Sequence, residues 1–203
     1  MKRIPTTVFS EWAEIGRDER MAKGHELAVN NMLDYALKGQ ENFSFIDAGC
    51  GNGWVVRLVK ALKSCLSAAG IDGAQMMIEK ALSIDPVGAY QHADLSNWSP
   101  NDKVDIVHSM EVVYYLSSPR AFIANVYKNW LKKDGRLIVG LDFYKENTVS
   151  HSWPEDCGVS IMQLLPEATW IGFFKEAGFS NVQSWRVDEK ENWAGTLVLT
   201  GVK

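Results

Sequence analysis

Cysteine is scarce in this sequence, with three among 203 residues. Cys50, Cys65 and Cys157 are odd in number and widely spaced, and no two of them form a Cys-x-x-Cys pair. A disulfide framework or a structural zinc site needs paired cysteines at short, regular spacing. The sequence therefore argues against both kinds of framework.

Basic charge and long apolar runs are also lacking. The formal net charge of -4 argues against a protein that binds nucleic acid by neutralising phosphates. No apolar run is long enough to span a bilayer, and no apolar segment follows the basic start at Lys2 and Arg3. The four histidines lack the short spacing typical of metal ligands. We therefore predict a cytoplasmic protein with no nucleic-acid partner, no membrane contact and no bound metal.

The composition is that of an ordinary globular protein, with 46% hydrophobic and 23% charged residues. A chain of this length suits one α/β domain better than two independent ones. We predict a single domain over residues 1–203, with an N-terminal helical cap at 1–40 and a core at 41–203. Within the core, residues 144–166 are predicted to form a covering insertion.

Strand-like and helix-like segments alternate along the chain. Residues 8–38 favour a helix that is interrupted at Gly24 and closed by Gly39. The predicted strands are 43–47, 67–72, 89–93, 104–110, 135–142, 181–187 and 196–202, and the helices between them include 75–82, 119–131 and 168–177. This alternation predicts a mainly parallel sheet covered by helices on both faces. The short connection at 188–193 makes the last two strands antiparallel.

A glycine-rich turn follows the first predicted strand. Gly49, Gly51 and Gly53 let the backbone approach a ligand bound at the carboxyl end of that strand. Asp72 ends the next strand, where its carboxylate can accept hydrogen bonds from two ribose hydroxyls. Trp54 stands where a dinucleotide fingerprint has its third glycine or an alanine, so the turn suits a nucleoside better than a dinucleotide.

With these features the sequence resembles the class I S-adenosylmethionine-dependent methyltransferases. The segments that carry the resemblance are Phe45-Ile46-Asp47-Ala48-Gly49-Cys50-Gly51-Asn52-Gly53, Gly70-Ile71-Asp72, Ala93-Asp94-Leu95, Val104 to Val113, Leu131 to Leu137 and Phe173 to Phe179. The resemblance implies a three-layer α/β sandwich whose seven-stranded sheet has the order 3-2-1-4-5-7-6 with strand 7 antiparallel.

The resemblance also implies a cofactor and the residues that bind it. S-adenosylmethionine is the expected cofactor, and S-adenosylhomocysteine the product. Asp47, Gly49 and Gly51 are expected to surround its methionine part and Asp72 its ribose. Asp94 and Leu95 are expected to contact the adenine edge. The predicted cofactor site also includes Cys50, Gly73, Met77 and Ser109.

The predicted catalytic residues follow the fourth and fifth strands, which face the cofactor in this fold. They are Glu111, Tyr114, Tyr115 and Asp142. Methyltransferases similar to the ubiquinone-pathway O-methyltransferases carry a metal-binding Glu-x-x-Glu-His sequence here, which this chain replaces by Glu111-Val112-Val113-Tyr114-Tyr115. The predicted substrate-binding residues, in the covering segments, are Trp12, Tyr144, His151 and Trp153.

Together these features predict a metal-independent methyltransferase that acts on a small-molecule acceptor by in-line transfer, as a monomer or homodimer. The acceptor and its reacting atom stay open at this point. A protein-methylating enzyme is the main alternative. A nucleotide-dependent oxidoreductase and a non-catalytic cofactor-binding module are the alternatives from other classes.

Overall fold

The computed structural model describes residues 2–203. Seven α-helices and seven β-strands are named here in chain order: α1 (Pro5–Glu14), α2 (Arg17–Ala36), β1 (Phe43–Ala48), α3 (Trp54–Lys60), β2 (Cys65–Asp72), α4 (Gln75–Ile84), β3 (Ala89–His92), β4 (Val104–Met110), α5 (Pro119–Asn125), β5 (Leu131–Leu141), α6 (Trp153–Asp156), α7 (Glu167–Ala177), β6 (Ser180–Val187) and β7 (Thr196–Val202).

The strands form one sheet in the order β3-β2-β1-β4-β5-β7-β6. Strands β1 to β5 pair in parallel, whereas β7 is antiparallel to both β5 and β6. The predicted sheet order and the antiparallel closing pair are therefore confirmed. The order reverses between β1 and β4, and ligands of open α/β sheets bind at such a reversal, beyond the carboxyl ends of the strands.

The central strands are apolar on both faces because helices cover both sides of the sheet. Alternate residues of β1 and β4 belong to opposite layers: Ile46 and Val107 pack in one core, Phe45 and Ile106 in the other. This is the pattern expected of a parallel sheet between two layers of helices. The central strands are thereby fixed in position, and so are the side chains at their carboxyl ends.

The N-terminal segment differs from its predicted form. Gly24 does not interrupt a helix but lies inside α2, whereas the break falls at Gly16, whose φ of 69° is left-handed. A glycine inside a helix costs about 1 kcal/mol relative to alanine. Burial of Val29 and Met32 against the sheet outweighs that cost.

The helix that begins at Pro119 and the strand after it also differ from prediction. The α-helix ends at Asn125 and continues as a π-helical turn at Val126–Trp130, and β5 begins at Leu131 rather than at Gly135. The added residues pair with β4 only through Leu131 and Val104, across a register shift. Trp130 is fully buried in the π-helical turn, as the apolar spacing predicted for an α-helix. Apolar spacing alone therefore does not distinguish an α-helical from a π-helical turn.

Residues 144–166 run across the carboxyl edge of the sheet and meet the N-terminus of the chain. The backbone of Arg3 donates to Gly158 and accepts from Ser160, at 2.9 and 2.8 Å. Val159 packs against Val8 of α1. The segment and the two N-terminal helices therefore lie on the side of the molecule where the sheet order predicts a ligand. Within residues 2–203, no helix is both long enough and apolar enough to cross a bilayer.

Candidate active site

The turn after β1 requires its glycines for two different reasons. A β-carbon on Gly49 would lie 2.1 Å from the side chain of Val112, which follows β4. The segments after β1 and β4 can therefore lie this close together only because Gly49 has no side chain. A β-carbon on Gly51 would meet no atom closer than the Met77 sulfur at 3.9 Å. Both glycines have positive φ values, which other residues rarely adopt. The space beside Gly51 is therefore open for a ligand.

Asp72, at the end of β2, is tied to this turn. Its Oδ2 accepts a hydrogen bond from the Gly51 amide at 2.9 Å, and its Oδ1 accepts one from the Ala74 amide at 2.7 Å. Burial raises the pKa of the carboxyl above its usual value, although the two amides act in the opposite direction. Each carboxylate oxygen has two lone pairs, so both oxygens retain the capacity to accept a ligand hydroxyl.

Two adjoining cavities lie at the carboxyl ends of β1, β2 and β4, and they contain most of the predicted cofactor residues. The narrower has a volume of about 120 Å³, and its lining includes Asp47, Gly49, Cys50, Gly51, Asp72 and Met77. The wider has a volume of about 510 Å³, and its lining includes Gly49, Asp72, Gly73, Asp94 and Leu95. Because Gly49 and Asp72 border both, the two form one crevice, which we call the cofactor crevice.

A third cavity of about 510 Å³ lies between helices α1 and α2 and the segment 144–166. We call it the acceptor cavity. Its lining includes five of the predicted site residues, Trp12, Glu111, Tyr115, Asp142 and Trp153. Glu111 also lines both parts of the cofactor crevice, and Tyr115 lines the wider part. These two side chains therefore stand where the crevice meets the acceptor cavity.

Four predicted site residues lie outside these cavities. The Ser109 hydroxyl donates to the Ala48 carbonyl, and the Tyr144 hydroxyl donates to the carbonyls of Ala194 and Gly195. The ring of His151 bonds to the Lys145 carbonyl. Tyr114 is fully buried, and its hydroxyl donates to Oε2 of Glu111 at 2.6 Å. Ser109, Tyr114 and Tyr144 were predicted because they lie at or after strand ends, and His151 because it lies in the covering segment. In the structure each of them makes a hydrogen bond within the protein.

One face of α2 borders the cofactor crevice and was not among the predicted site residues. Asp18, Met21, Ala22 and His25 line the narrower cavity, and Met21 and His25 also line the acceptor cavity. Their spacing of three, one and three residues places them on one side of a helix. This periodicity was a usable signal, but it does not show which part of the sheet the helix faces.

Glu111 belongs to a cluster with His25 and Asp142, in which the two acids are buried and the histidine is partly exposed. The Nε2 atom of His25 lies 3.3 Å from Oδ2 of Asp142. One Glu111 oxygen accepts from the backbone amide of Asp142, and Thr196 donates to Oδ1 of Asp142 at 2.6 Å. One ligand atom from each of the three side chains lies within 4.8 Å of the others. This cluster could not be predicted from the sequence, because its members are distant along the chain.

The cluster concentrates negative charge away from water. Burial, followed by the nearby charge of Asp142, raises the pKa of Glu111 to about 8. Desolvation lowers the pKa of His25, but the hydrogen bond to Asp142 and the charges of the two carboxylates outweigh it and leave that pKa raised. A cation bound between these groups would relieve the repulsion between the two carboxylates.

The sheet order, the antiparallel seventh strand and the glycine-rich cofactor crevice define a class I S-adenosylmethionine-dependent methyltransferase fold. Residues 17–184 match the model of a family described as a methyltransferase domain. The chain therefore belongs to this methyltransferase domain family.

Curated relatives include the trans-aconitate 2-methyltransferases of Klebsiella pneumoniae (strain 342) and Agrobacterium fabrum. The first is 25% identical over 147 residues, which are 70% of this chain and 57% of that protein. The second is 28% identical over 122 residues, 60% of this chain and 45% of that protein. The chain thus spans about half the length of the curated relatives it matches.

Solved structures include a methyltransferase in complex with the Haloferax volcanii Trm112 methyltransferase activator. It has 24% identity and a TM-score of 0.81, over 100% of this chain and 99% of that one. The N-methyltransferase NodS from Bradyrhizobium japonicum WM9, in complex with S-adenosyl-L-homocysteine, has 18% identity and a TM-score of 0.68 over 87% and 85% of the two chains. At these identities the likeness concerns the fold.

Proposed function

We propose that this protein transfers the methyl group of S-adenosylmethionine directly to a small molecule in the acceptor cavity. The observation that carries the proposal is the position of Glu111, which lines both parts of the cofactor crevice and the acceptor cavity. A methyl donor and an acceptor bound in these spaces would meet beside that side chain. Such a meeting point is what an in-line displacement needs.

The crevice fits the cofactor in two further respects. The open space beside Gly51 would admit a ligand that approaches the backbone. His108 is fully buried and lines the narrower cavity, and its Nε2 atom has no hydrogen-bond partner among residues 2–203. A buried polar atom without a partner is costly, so a polar ligand group near it would be stabilising.

The residues of this chain would hold the cofactor at three places. Asp72 would accept from the ribose hydroxyls, Asp94 and Leu95 would contact the adenine, and Asp47 and Gly49 would surround the methionine part. When bound, the cofactor supplies a sulfonium methyl group that a lone pair can displace. The protein would contribute alignment and exclusion of water, and as proposed the transfer needs no metal.

The size and wall of the acceptor cavity favour a small molecule over a protein segment. Its volume of about 510 Å³ lies in the range of roughly 300–1,000 Å³ that small-ligand pockets occupy. Helices α1 and α2 and residues 144–166 border it, and Trp12 and Trp153 form an aromatic part of its wall.

The acceptor of the curated relatives does not suit this cavity. Trans-aconitate carries three carboxylates, whereas Glu111, Asp142 and Asp156 bring negative charge to the wall. Among the residues described here, Arg17 is the one permanently charged cation that lines the cavity, and its guanidinium stacks on Trp12 at 3.8 Å. Like charges in a partly dehydrated site repel strongly. We therefore do not assign trans-aconitate to this chain.

Calorimetric titration with S-adenosylhomocysteine tests the cofactor part, with NAD as the comparison ligand. We expect binding of the first and not of the second. Asp72→Ala should weaken binding by about 1.5 to 3 kcal/mol, the scale of a lost hydrogen bond to a charged group. Asp102→Ala, at an exposed position outside the crevice, is the matched control. Preference for NAD, or unchanged affinity in a folded Asp72→Ala variant, would contradict the proposal.

Methyl transfer itself is tested with cofactor labelled in its methyl group and a pool of small metabolites. Labelled small-molecule product supports the proposal. Label in added protein instead would favour the alternative of a protein-methylating enzyme. Binding of the cofactor without any labelled product would favour the non-catalytic module.

A protein partner is a second candidate feature. The Haloferax volcanii chain that matches this one over its whole length is in complex with a methyltransferase activator. Co-expression with a Trm112-type protein, followed by size-exclusion chromatography, tests whether this chain binds one. Co-elution at a defined stoichiometry supports a complex, and separate elution of both chains as monomers or homodimers argues against it.

A further inference from the structure

We propose that the acceptor is an amine, bound as its ammonium ion by the carboxylates of Glu111 and Asp142 in the acceptor cavity. The inference rests on the proposed function and adds the chemical class of the acceptor. It follows from the cluster of His25, Glu111 and Asp142, from the charge of the cavity, and from its aromatic wall.

The cluster is assembled from three elements that the fold brings together. His25 comes from α2, Glu111 follows β4 and Asp142 follows β5. Glu111 and Asp142 are almost fully buried, at 8% and 4% exposure, yet both line the acceptor cavity. Two adjacent carboxyl groups with so little access to water can both be ionised only with a positive charge between or beside them. The histidine can supply part of that charge, and a ligand in the cavity can supply the rest.

The charge of the cavity selects a cation. Its acidic groups are Glu111, Asp142 and Asp156, and its basic groups are Arg17 and His25. Arg17 is already held over the Trp12 ring. An ammonium would therefore be attracted, whereas a carboxylate or phosphate would face two buried acids.

The wall of the cavity suits an amine attached to an apolar group. Trp12, Tyr115, Trp153 and Trp193 all line it, and the rings of Trp153 and Trp193 stack with centroids 6.3 Å apart. Aromatic faces attract ammonium ions and exclude water from them. The combination of two acids with several aromatic rings is the chemistry that recognises an arylalkylamine.

The same acids account for the proton that must leave before transfer. An ammonium has no lone pair, so it first gives a proton to the Glu111 carboxylate. The free amine nitrogen then forms a bond to the methyl carbon, while the bond from that carbon to sulfur breaks and its electron pair stays on sulfur. The products are an N-methylammonium ion and S-adenosylhomocysteine, and the Glu111 proton leaves to solvent past His25.

The buried position of Glu111 matches this role. Its pKa of about 8 lets the carboxyl exchange a proton near neutral pH, where an ordinary glutamate would stay ionised. Tyr114 donates to one of its oxygens and the Asp142 amide to the other, so the carboxyl is held in one orientation. Glu111 is therefore placed both to receive the ammonium and to accept its proton.

The test compares phenethylamine with 2-phenylethanol and trans-aconitate by calorimetry, with and without S-adenosylhomocysteine. We expect phenethylamine to bind at least about tenfold more tightly than the alcohol of the same shape, and trans-aconitate not to bind. Glu111→Gln and Asp142→Asn should each weaken amine binding about tenfold or more. Glu176→Gln, which changes a carboxylate in an exposed ion pair with Arg120, is the control and should change nothing.

The possible results separate the amine inference from the proposed function. Equal binding of amine and alcohol, tighter binding of trans-aconitate, or unchanged amine affinity in both acid variants overturns the amine inference. So does stoichiometric binding of Zn²⁺ or Mg²⁺ that Glu111→Gln abolishes, because the cluster would then hold a metal. Failure of S-adenosylhomocysteine to bind contradicts the proposed function alone, since the amine is also titrated without it.

A turnover experiment completes the test. With labelled cofactor, phenethylamine should give the N-methyl product, and 2-phenylethanol should give none. EDTA should leave the rate unchanged. A rate abolished by EDTA and restored by a divalent ion would assign the three side chains to a metal and overturn the inference.

Discussion

The Nδ1 atom of His108 lies 2.7 Å from Oδ1 of Asp47, at directly paired positions of β4 and β1. Both side chains are shielded from solvent, and both line the narrower part of the cofactor crevice. The contact joins the carboxyl end of β1 to the neighbouring strand β4, where the sheet order reverses. It therefore holds in place the strand end from which the glycine-rich loop begins, and it leaves Nε2 of the histidine for a ligand.

Replacement of this histidine should cost both stability and cofactor affinity. His108→Phe keeps a ring that can stack near Phe45 but leaves the buried Asp47 carboxylate without its partner. We expect the free energy of unfolding to fall by about 1.5 to 3 kcal/mol, measured by urea denaturation. S-adenosylhomocysteine should bind more weakly by calorimetry. A variant as stable as the original protein would show that the contact is not a stabilising one.

The glycine-rich loop can be tested with a matched pair of substitutions. Gly51 and Gly16 both have positive φ, and an alanine β-carbon has room at both. Gly51→Ala and Gly16→Ala should each lower stability by about 1 to 2 kcal/mol because of the backbone strain. Only Gly51→Ala should also weaken S-adenosylhomocysteine binding, by about tenfold or more, and Gly51→Val should abolish it. Equal affinities in the two alanine variants would place the cofactor elsewhere.

Much of the fold could be predicted because it depends on local patterns. Phe45 and Ile46 belong to a short apolar run that ends in glycines, and such a run followed by an apolar helical stripe indicates a strand, a turn and a helix. The short link after β6 determines that β7 is antiparallel to it. The glycine turn and Asp72 were recognisable for the same reason, since they follow directly from strand ends.

The remainder of the site depends on contacts between distant parts of the chain. His25 and Asp142 are 117 positions apart in the printed sequence, and nothing near either one indicates that they meet. Tyr144 is the opposite case, because its position after β5 suggested a ligand contact while its hydroxyl bonds to the Gly195 carbonyl, just before β7. Local patterns place a residue at an edge of the sheet, but tertiary packing decides which cavity its side chain reaches.

The raised pKa of Glu111 predicts how stability depends on pH. In the unfolded chain this glutamate ionises near its usual pKa of 4.5, whereas in the folded protein it ionises near 8. Folding therefore becomes less favourable between these values as pH rises, by on the order of 1 kcal/mol per pH unit. His25, whose pKa is also raised, contributes stability that is likewise lost as pH rises through its folded value.

Urea denaturation at pH 5, 6.5 and 8 measures this dependence. Glu111→Gln cannot ionise, so its stability should fall less over this range than that of the original protein. The two proteins should differ most at pH 8, where the variant is relatively more stable. Parallel curves for the two proteins would show that Glu111 ionises normally in the folded state.

Tyr115 and Tyr144 allow a tyrosine that lines the candidate site to be compared with one that is buried in the core. Tyr115 lines the wider part of the cofactor crevice and the acceptor cavity, and its ring packs edge-on against Phe9. Tyr144 is fully buried and lines none of these cavities. Removal of each hydroxyl should therefore have opposite consequences for activity and stability.

We expect Tyr115→Phe to lower turnover while S-adenosylhomocysteine affinity changes little, because the hydroxyl would act on the acceptor and not on the adenosyl group. Tyr144→Phe should keep its turnover but lose about 1 to 3 kcal/mol of unfolding free energy, since the carbonyls of Ala194 and Gly195 would lose their shared donor. Steady-state kinetics with the identified acceptor and urea denaturation measure the two effects. Normal turnover in Tyr115→Phe would remove that hydroxyl from the reaction, and reduced turnover in a folded Tyr144→Phe would return Tyr144 to the site.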